Sequence, residues 1–120
     1  MFDITIEGKQ PIYEQLCAGI TRLISSGALP PGEKLPAVRE VAKSLGINPN
    51  TVQKAYSQLE RSGLIYSVPA KGNYVSSEES TRRAVKDDAL RALESSLVSA
   101  RDSGITEEEA AGSVKKIWNN

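Results

Sequence analysis

Leu45-Gly46-Ile47-Asn48-Pro49-Asn50-Thr51-Val52-Gln53-Lys54-Ala55-Tyr56 is the stretch that decides the fold. Gly46 ends one helical pattern, and only Ile47 separates it from Asn48, a good N-cap followed by Pro at the first helical position. Two helices therefore meet across a very tight turn. Upstream, a pattern beginning at Pro36 sets Val38, Val41, Ala42 and Leu45 on one face, a helix of about ten residues. Downstream, Val52, Ala55, Tyr56 and Leu59 form an inner face, and Gly63 is the stop. Asn50, Thr51, Gln53, Lys54, Ser57 and Arg61 are left pointing elsewhere, a polar and mostly uncharged outer face.

Working outward, Ile12, Leu16, Ile20, Leu23 and Ile24 recur every three or four residues, which predicts a helix near 11–26, opened by Pro11 and closed by Gly27. Before it, Phe2, Ile4 and Ile6 alternate, as in a small strand or an extended arm. The connector Gly27-Ala28-Leu29-Pro30-Pro31-Gly32 cannot sustain a helix, and Leu29 and Leu35 are expected to enter the core. Beyond Gly63 the period becomes strand-like: Leu64, Ile65, Tyr66 and Val68, a Pro69-Ala70-Lys71-Gly72 turn, then Asn73, Tyr74 and Val75. This is a hairpin signal.

The polar run Ser76-Ser77-Glu78-Glu79-Ser80 reads as a boundary. After it, Val85, Leu90, Leu93, Leu97 and Ala100 mark a long amphipathic helix ending near Gly104. Thr106 and Glu109 fit a capping box, and the last helix carries Ala110, Val114, Ile117 and Trp118 on one face. The expected fold class is mainly α with a small β-hairpin. The predicted organisation is a winged helix-turn-helix over residues 1–76 and a two-helix tail over 77–120.

Composition narrows the function. At 120 residues the chain has room for one compact domain and a small appendage, and 39% hydrophobic with 25% charged residues suits a soluble globular protein. Cys17 is the only cysteine and histidine is absent, which removes disulfides, imaginable thiolate–imidazole zinc sites and Ser-His or Cys-His nucleophile pairs. No catalytic residue, metal or cofactor is expected. Cys17 reads as a small buried hydrophobe, and Tyr13 and Tyr56 as core residues with a polar tip. No signal peptide or membrane-spanning run is visible, so no membrane partner is expected and the predicted location is cytoplasmic.

The net charge is zero, yet it is unevenly spread. Residues 39–76 carry Arg39, Lys43, Lys54, Arg61 and Lys71 against Glu40 and Glu60, a net +3, whereas residues 77–120 carry seven basic and nine acidic side chains, a net −2. A polyanion-binding face therefore belongs to the first part. Helix, tight turn, helix and hairpin is the order in which a recognition helix enters the DNA major groove. Short polar side chains such as Asn48, Asn50, Thr51 and Gln53 reach phosphates or base edges there without steric conflict.

Pro11-Ile12-Tyr13-Glu14-Gln15-Leu16, the connector through Gly32-Glu33-Lys34-Leu35-Pro36, Val38-Arg39-Glu40-Val41-Ala42, Asn48 to Tyr56, and Lys71-Gly72-Asn73-Tyr74-Val75 together resemble GntR-family transcription regulators. The short helical tail is similar to that of the YtrA-like subfamily. The resemblance implies a homodimeric bacterial repressor of a two-fold symmetric double-stranded DNA operator, often that of a transporter operon. It implies DNA contacts from Arg39, from Asn48, Pro49, Asn50, Thr51 and Gln53 at the start of the recognition helix, and from the wing tip Ala70, Lys71 and Gly72, and Lys54 joins these as a DNA-binding candidate through its charge on the same helix. Many members have Ser where Ala37 stands, so one phosphate contact is missing, and many have Gly where Ala70 stands, so a less tight wing turn is expected.

Other readings stand beside these. Arg39 can pair with Glu40, Lys43 and Lys54 can be ordinary solvated lysines, and Asn48 can serve as a cap while the free N–H groups of the same turn hold a phosphate. Leu90, Leu93, Leu97, Val114, Ile117 and Trp118 belong to helices too short to bury them alone, and a dimer interface is their expected place. Glu107-Glu108-Glu109 suits a helix N-terminus better than a metal. A small-molecule effector has room to act between tail and DNA-binding part, though no cluster specifies its chemistry. The rival functions are a winged helix that contacts proteins without specific DNA binding, and an enzyme, which the residue inventory disfavours.

Overall fold

The computed structural model describes residues 3–120, so Phe2 lies outside the described residues. Helices α1 (Ile12–Ser25), α2 (Val38–Leu45) and α3 (Pro49–Arg61) precede an antiparallel hairpin, β1 (Ile65–Val68) and β2 (Gly72–Val75). Helices α4 (Glu78–Asp102) and α5 (Glu107–Trp118) follow. The chain forms two compact units, Met1–Val85 and Lys86–Asn120.

In the first unit α3 is the hub, packed against α1, α2 and β1. Its inner face, Val52, Ala55, Tyr56 and Leu59, is buried together with Leu16 and Ile20 of α1, Val41 of α2 and Ile65 and Val75 of the hairpin. Each such aliphatic side chain contributes about 1.5–3 kcal/mol through removal from water. Leu35 joins this core fully and Leu29 in part, as the connector reading anticipates. The Tyr56 hydroxyl donates to the Pro36 carbonyl at 2.6 Å, satisfying a polar tip inside the core. Burial, reinforced by the negative charge of Glu40, pushes the Tyr56 phenol up, so it stays a donor. Cys17 is half-buried against the same core, and its burial, with Glu14 nearby, raises the thiol to about 11.

Several boundaries differ from the sequence expectation. Helix α2 starts at Val38 and not at Pro36, because Pro36 and Ala37 stay outside the helix, with Ala37 extended at the N-cap. The run Ser76–Ser80 is no open boundary: α4 begins at Glu78, where the Ser77 hydroxyl accepts from the Ser80 N–H at 3.1 Å. Ala84 of α4 is buried in the core of the first unit. Of the two readings of the N-terminal alternation, strand or extended arm, residues 4–7 take the arm, and Ile4 packs where Gly19 leaves space. A Cβ on Gly19 would lie 2.8 Å from Ile4 Cδ1.

In the second unit α4 turns into α5 through Ser103-Gly104-Ile105-Thr106. The expected capping box forms: Thr106 Oγ1 accepts from the Glu109 N–H at 3.1 Å, and the Glu109 carboxylate accepts from the Thr106 N–H at 3.0 Å. These bonds from Thr106 lower the Glu109 carboxyl below its ordinary range. No residue of α5 is buried.

Candidate nucleic-acid interface

The first turn of α3 is built as its sequence suggests, with Asn48 capping and Pro49 at the first helical position. Asn48 Oδ1 accepts from the Asn50 N–H at 2.8 Å, and the Asn48 carbonyl accepts from Thr51 at 2.9 Å and Val52 at 3.3 Å. Pro49 has no N–H. The turn's N–H groups are thus spent internally, which corrects the expectation that free N–H groups here hold a phosphate. What the turn offers outward is side chains: Asn48, Asn50 and Gln53 are exposed and Thr51 is half-buried. Gln53 Nε2 donates to Ser57 Oγ at 3.1 Å, which orients its amide along the outer face.

Lys54 is exposed and reaches α1. Its Nζ sits 3.9 Å from the centre of the Tyr13 ring, a cation–π contact that ties α3 to α1. Arg39 is exposed in the first turn of α2 and does not pair with Glu40. Among the described residues every ion pair lies on α4, joining Arg82 to Glu78, Arg83 to Glu79, Arg91 to Asp88 and Arg101 to Asp102. The cations Arg39, Lys43, Arg61 and Lys71 take part in none of them, so their charge is available to an outside anion.

The wing turn closes more tightly than its sequence suggests. The Lys71 N–H donates to the Val68 carbonyl at 3.0 Å, with Pro69 second and Ala70 third at φ +65°. That is the arrangement of a type II turn, whose third position favours glycine. Ala70 adopts the left-handed conformation without glycine's freedom, at a cost of about 1–2 kcal/mol. Lys71 is exposed at this tip, while Gly72 already belongs to β2.

Sequence reading missed Lys34. It stands in the connector, ahead of the basic stretch 39–76, yet the fold lays it against β2 opposite Tyr74. The alternation Glu33-Lys34-Leu35, with Leu35 buried, was the available signal.

A helix-turn-helix with an exposed polar recognition helix, unpaired cations and a hairpin wing defines a DNA-binding regulator of the winged type. The profile of the family described as "Bacterial regulatory proteins, gntR family" matches residues 12–75. The HTH-type transcriptional repressor YtrA of Bacillus subtilis is 43% identical over 81 residues, covering 68% of this chain and 62% of that protein. The structure of a GntR family transcriptional regulator from Listeria monocytogenes aligns with a TM-score of 0.66 at 33% identity, over 92% of this chain and 98% of that one. The AraR DNA-binding domain in complex with operator ORX1 aligns with a TM-score of 0.57 at 29% identity, over 62% of this chain and 96% of that one. The chain belongs to the GntR family of bacterial regulators, and within it resembles the YtrA-like type. It is a DNA-binding transcriptional regulator and not an enzyme.

Proposed function

We propose that the chain is a cytoplasmic homodimeric repressor that blocks transcription by occupying a two-fold symmetric operator. Residues 1–76 bind DNA and residues 77–120 hold two copies together. Arg39 grips from α2, Asn48, Pro49, Asn50, Thr51 and Gln53 approach the major groove, and Ala70, Lys71 and Gly72 form the wing tip. Lys54 contributes mainly by bracing α3 on Tyr13. The observation that carries the reading is the contrast in charge: the cations around α2, α3 and the wing are unpaired, whereas the arginines of α4 are matched to carboxylates. The relative named a repressor supports the sign of regulation, and the resemblance supports a transporter operon as target.

Dimerisation supplies what one recognition helix lacks, since two read half-sites about one helical turn, roughly 34 Å, apart. Leu90, Leu93, Leu97, Val114, Ile117 and Trp118 are all exposed and supply apolar surface for it. Among the described residues no helix is long and apolar enough to cross a membrane, which suits the proposed location.

The test is selection from a randomised duplex library by the purified protein at about 150 mM salt, where non-specific phosphate binding is already weakened. Enrichment of an inverted repeat with fixed spacing is the expected result. A folded, dimeric protein that enriches nothing would favour a protein-binding winged helix instead.

A second reading concerns an effector. A cleft of about 440 Å³ lies between the end of α1, the connector and the first turns of α4, lined by Ile24, Gly27, Pro31, Thr81, Arg82 and Val85. Thr81 Oγ1 is buried there without a hydrogen-bond partner. We infer that a small ligand with an apolar body and one polar group seated there would bias the start of α4 and, through it, the spacing of the two recognition helices.

A further inference from the structure

The connector does more than join α1 to α2. Its backbone runs beside the outer edge of β2: Leu35 N–H donates to Asn73 O at 2.8 Å, Val75 N–H to Glu33 O at 2.9 Å, and Gly32 N–H to Val75 O at 2.8 Å. Lys34 and Tyr74 are directly opposed across this antiparallel bridge. Residues so opposed present their side chains to the same face of a sheet. Tyr74 is in turn opposite Tyr66, and their rings stack with centroids 5.7 Å apart. The neighbouring pair Ile65 and Val75 faces the core, so the row Tyr66, Tyr74, Lys34 occupies the outer face of the wing.

The Lys34 side chain then follows that face toward the tip. A Cβ placed on Gly72 would meet Lys34 Cε at 3.1 Å and Nζ at 3.9 Å. The lysine stem therefore fills the notch that glycine leaves, and its ammonium is carried beside the residue that follows Lys71. Lys34 is exposed and joins none of the ion pairs among the described residues. A lysine whose backbone is pinned and whose stem is packed loses less rotamer freedom on binding an anion than a free surface lysine does.

We propose that Lys34 is a phosphate-binding residue of the wing, gripping the sugar–phosphate backbone beside the groove that the tip around Lys71 enters. Gly72 is the positioning residue, because a Cβ there would press on the Lys34 stem and shift it by a few tenths of an ångström. The inference rests on the DNA-binding reading and adds to it a contact from the connector. Contact with phosphate carries no base preference, so its signature is in salt dependence rather than in sequence choice.

The experiment measures binding of the full-length protein to its selected duplex and to a scrambled duplex across about 50–300 mM salt, for wild type, Lys34→Met and Lys34→Arg. Methionine keeps an unbranched stem over Gly72 and removes the charge. Lys34→Met is expected to bind both duplexes about fivefold more weakly at 150 mM salt, with the slope of log K against log salt flattened by about one unit. Lys34→Arg should restore the slope, and the melting temperatures of all three should agree. An unchanged slope in Lys34→Met, with wild type showing normal salt-dependent binding, overturns the inference. A wild type that binds neither duplex overturns the DNA-binding reading itself, so the two failures are distinguishable.

Discussion

The winged part and the helical tail of this chain treat their two resources in opposite ways. Up to Val75 most apolar side chains are enclosed, with Leu16, Ile20, Val41, Val52 and Val75 wholly shielded, while Arg39, Lys43, Arg61 and Lys71 stay out of ion pairs. From Glu78 on, the arginines are paired with carboxylates and the large apolar side chains are open, with Ile117 69% and Trp118 73% exposed. The first region is complete in packing and incomplete in charge, which suits a polyanion. The second has its arginines paired and is incomplete in packing, which suits another apolar surface. The difference teaches that partner chemistry is legible in whichever requirement a folded region leaves unmet.

The largest test of this contrast compares truncations in the two regions. Ile20→Ala should lower folding stability by about 2–5 kcal/mol in a denaturant melt, because it empties a fully enclosed site. Leu93→Ala, at a position 43% exposed, should leave that melt almost unchanged at a fixed, low protein concentration and instead raise the dimer dissociation constant by sedimentation. Equal losses of folding stability from both variants would erase the distinction.

The next test compares arginines. Arg39→Ala should weaken operator binding by about 1–3 kcal/mol if the guanidinium bonds a base edge. Arg91→Ala, which removes an exposed pair with Asp88 at 3.7 Å, should change neither binding nor stability by more than about 0.5 kcal/mol. A titration in which Arg91→Ala binds as poorly as Arg39→Ala would place the DNA surface elsewhere.

The smallest expected effects concern local geometry. Ala70→Gly should raise stability by about 1 kcal/mol, since glycine holds the left-handed conformation at φ +65° without steric cost. Ala37→Ser should add about 0.5–1 kcal/mol by capping α2, whose N-cap lacks a side-chain bond. It also supplies a hydroxyl next to Arg39's turn, so tighter operator binding is expected with it. Thermal melts alongside titrations separate the two contributions.

Much of this was visible in the sequence wherever the cause is local. The turn between α2 and α3 was legible because Gly46, Asn48 and Pro49 each act through their own backbone. The capping box at Thr106 and Glu109 was legible for the same reason, and so was the buried face of α3 at Val52, Ala55, Tyr56 and Leu59. The start of α4 was misjudged because Glu78, Glu79 and Ser80 look like linker residues until Ser77 caps them and Ala84 finds the core. The start of α2 was misjudged because Pro36 suits a first helical turn, yet its carbonyl is held by Tyr56, twenty residues away.

The candidate interface divides along the same line. Residue type and spacing alone determined which side chains belong to the recognition helix, where the wing tip falls and which stripe of the tail is apolar, since helical and strand periods are properties of a short segment. Tertiary structure alone decided that Lys54 folds back onto Tyr13, that Arg39 stands free of Glu40 and that Lys34 lies along the wing. Those outcomes depend on which distant backbone comes alongside, and a bridge between residues 34 and 74 leaves no mark on the sequence near either of them.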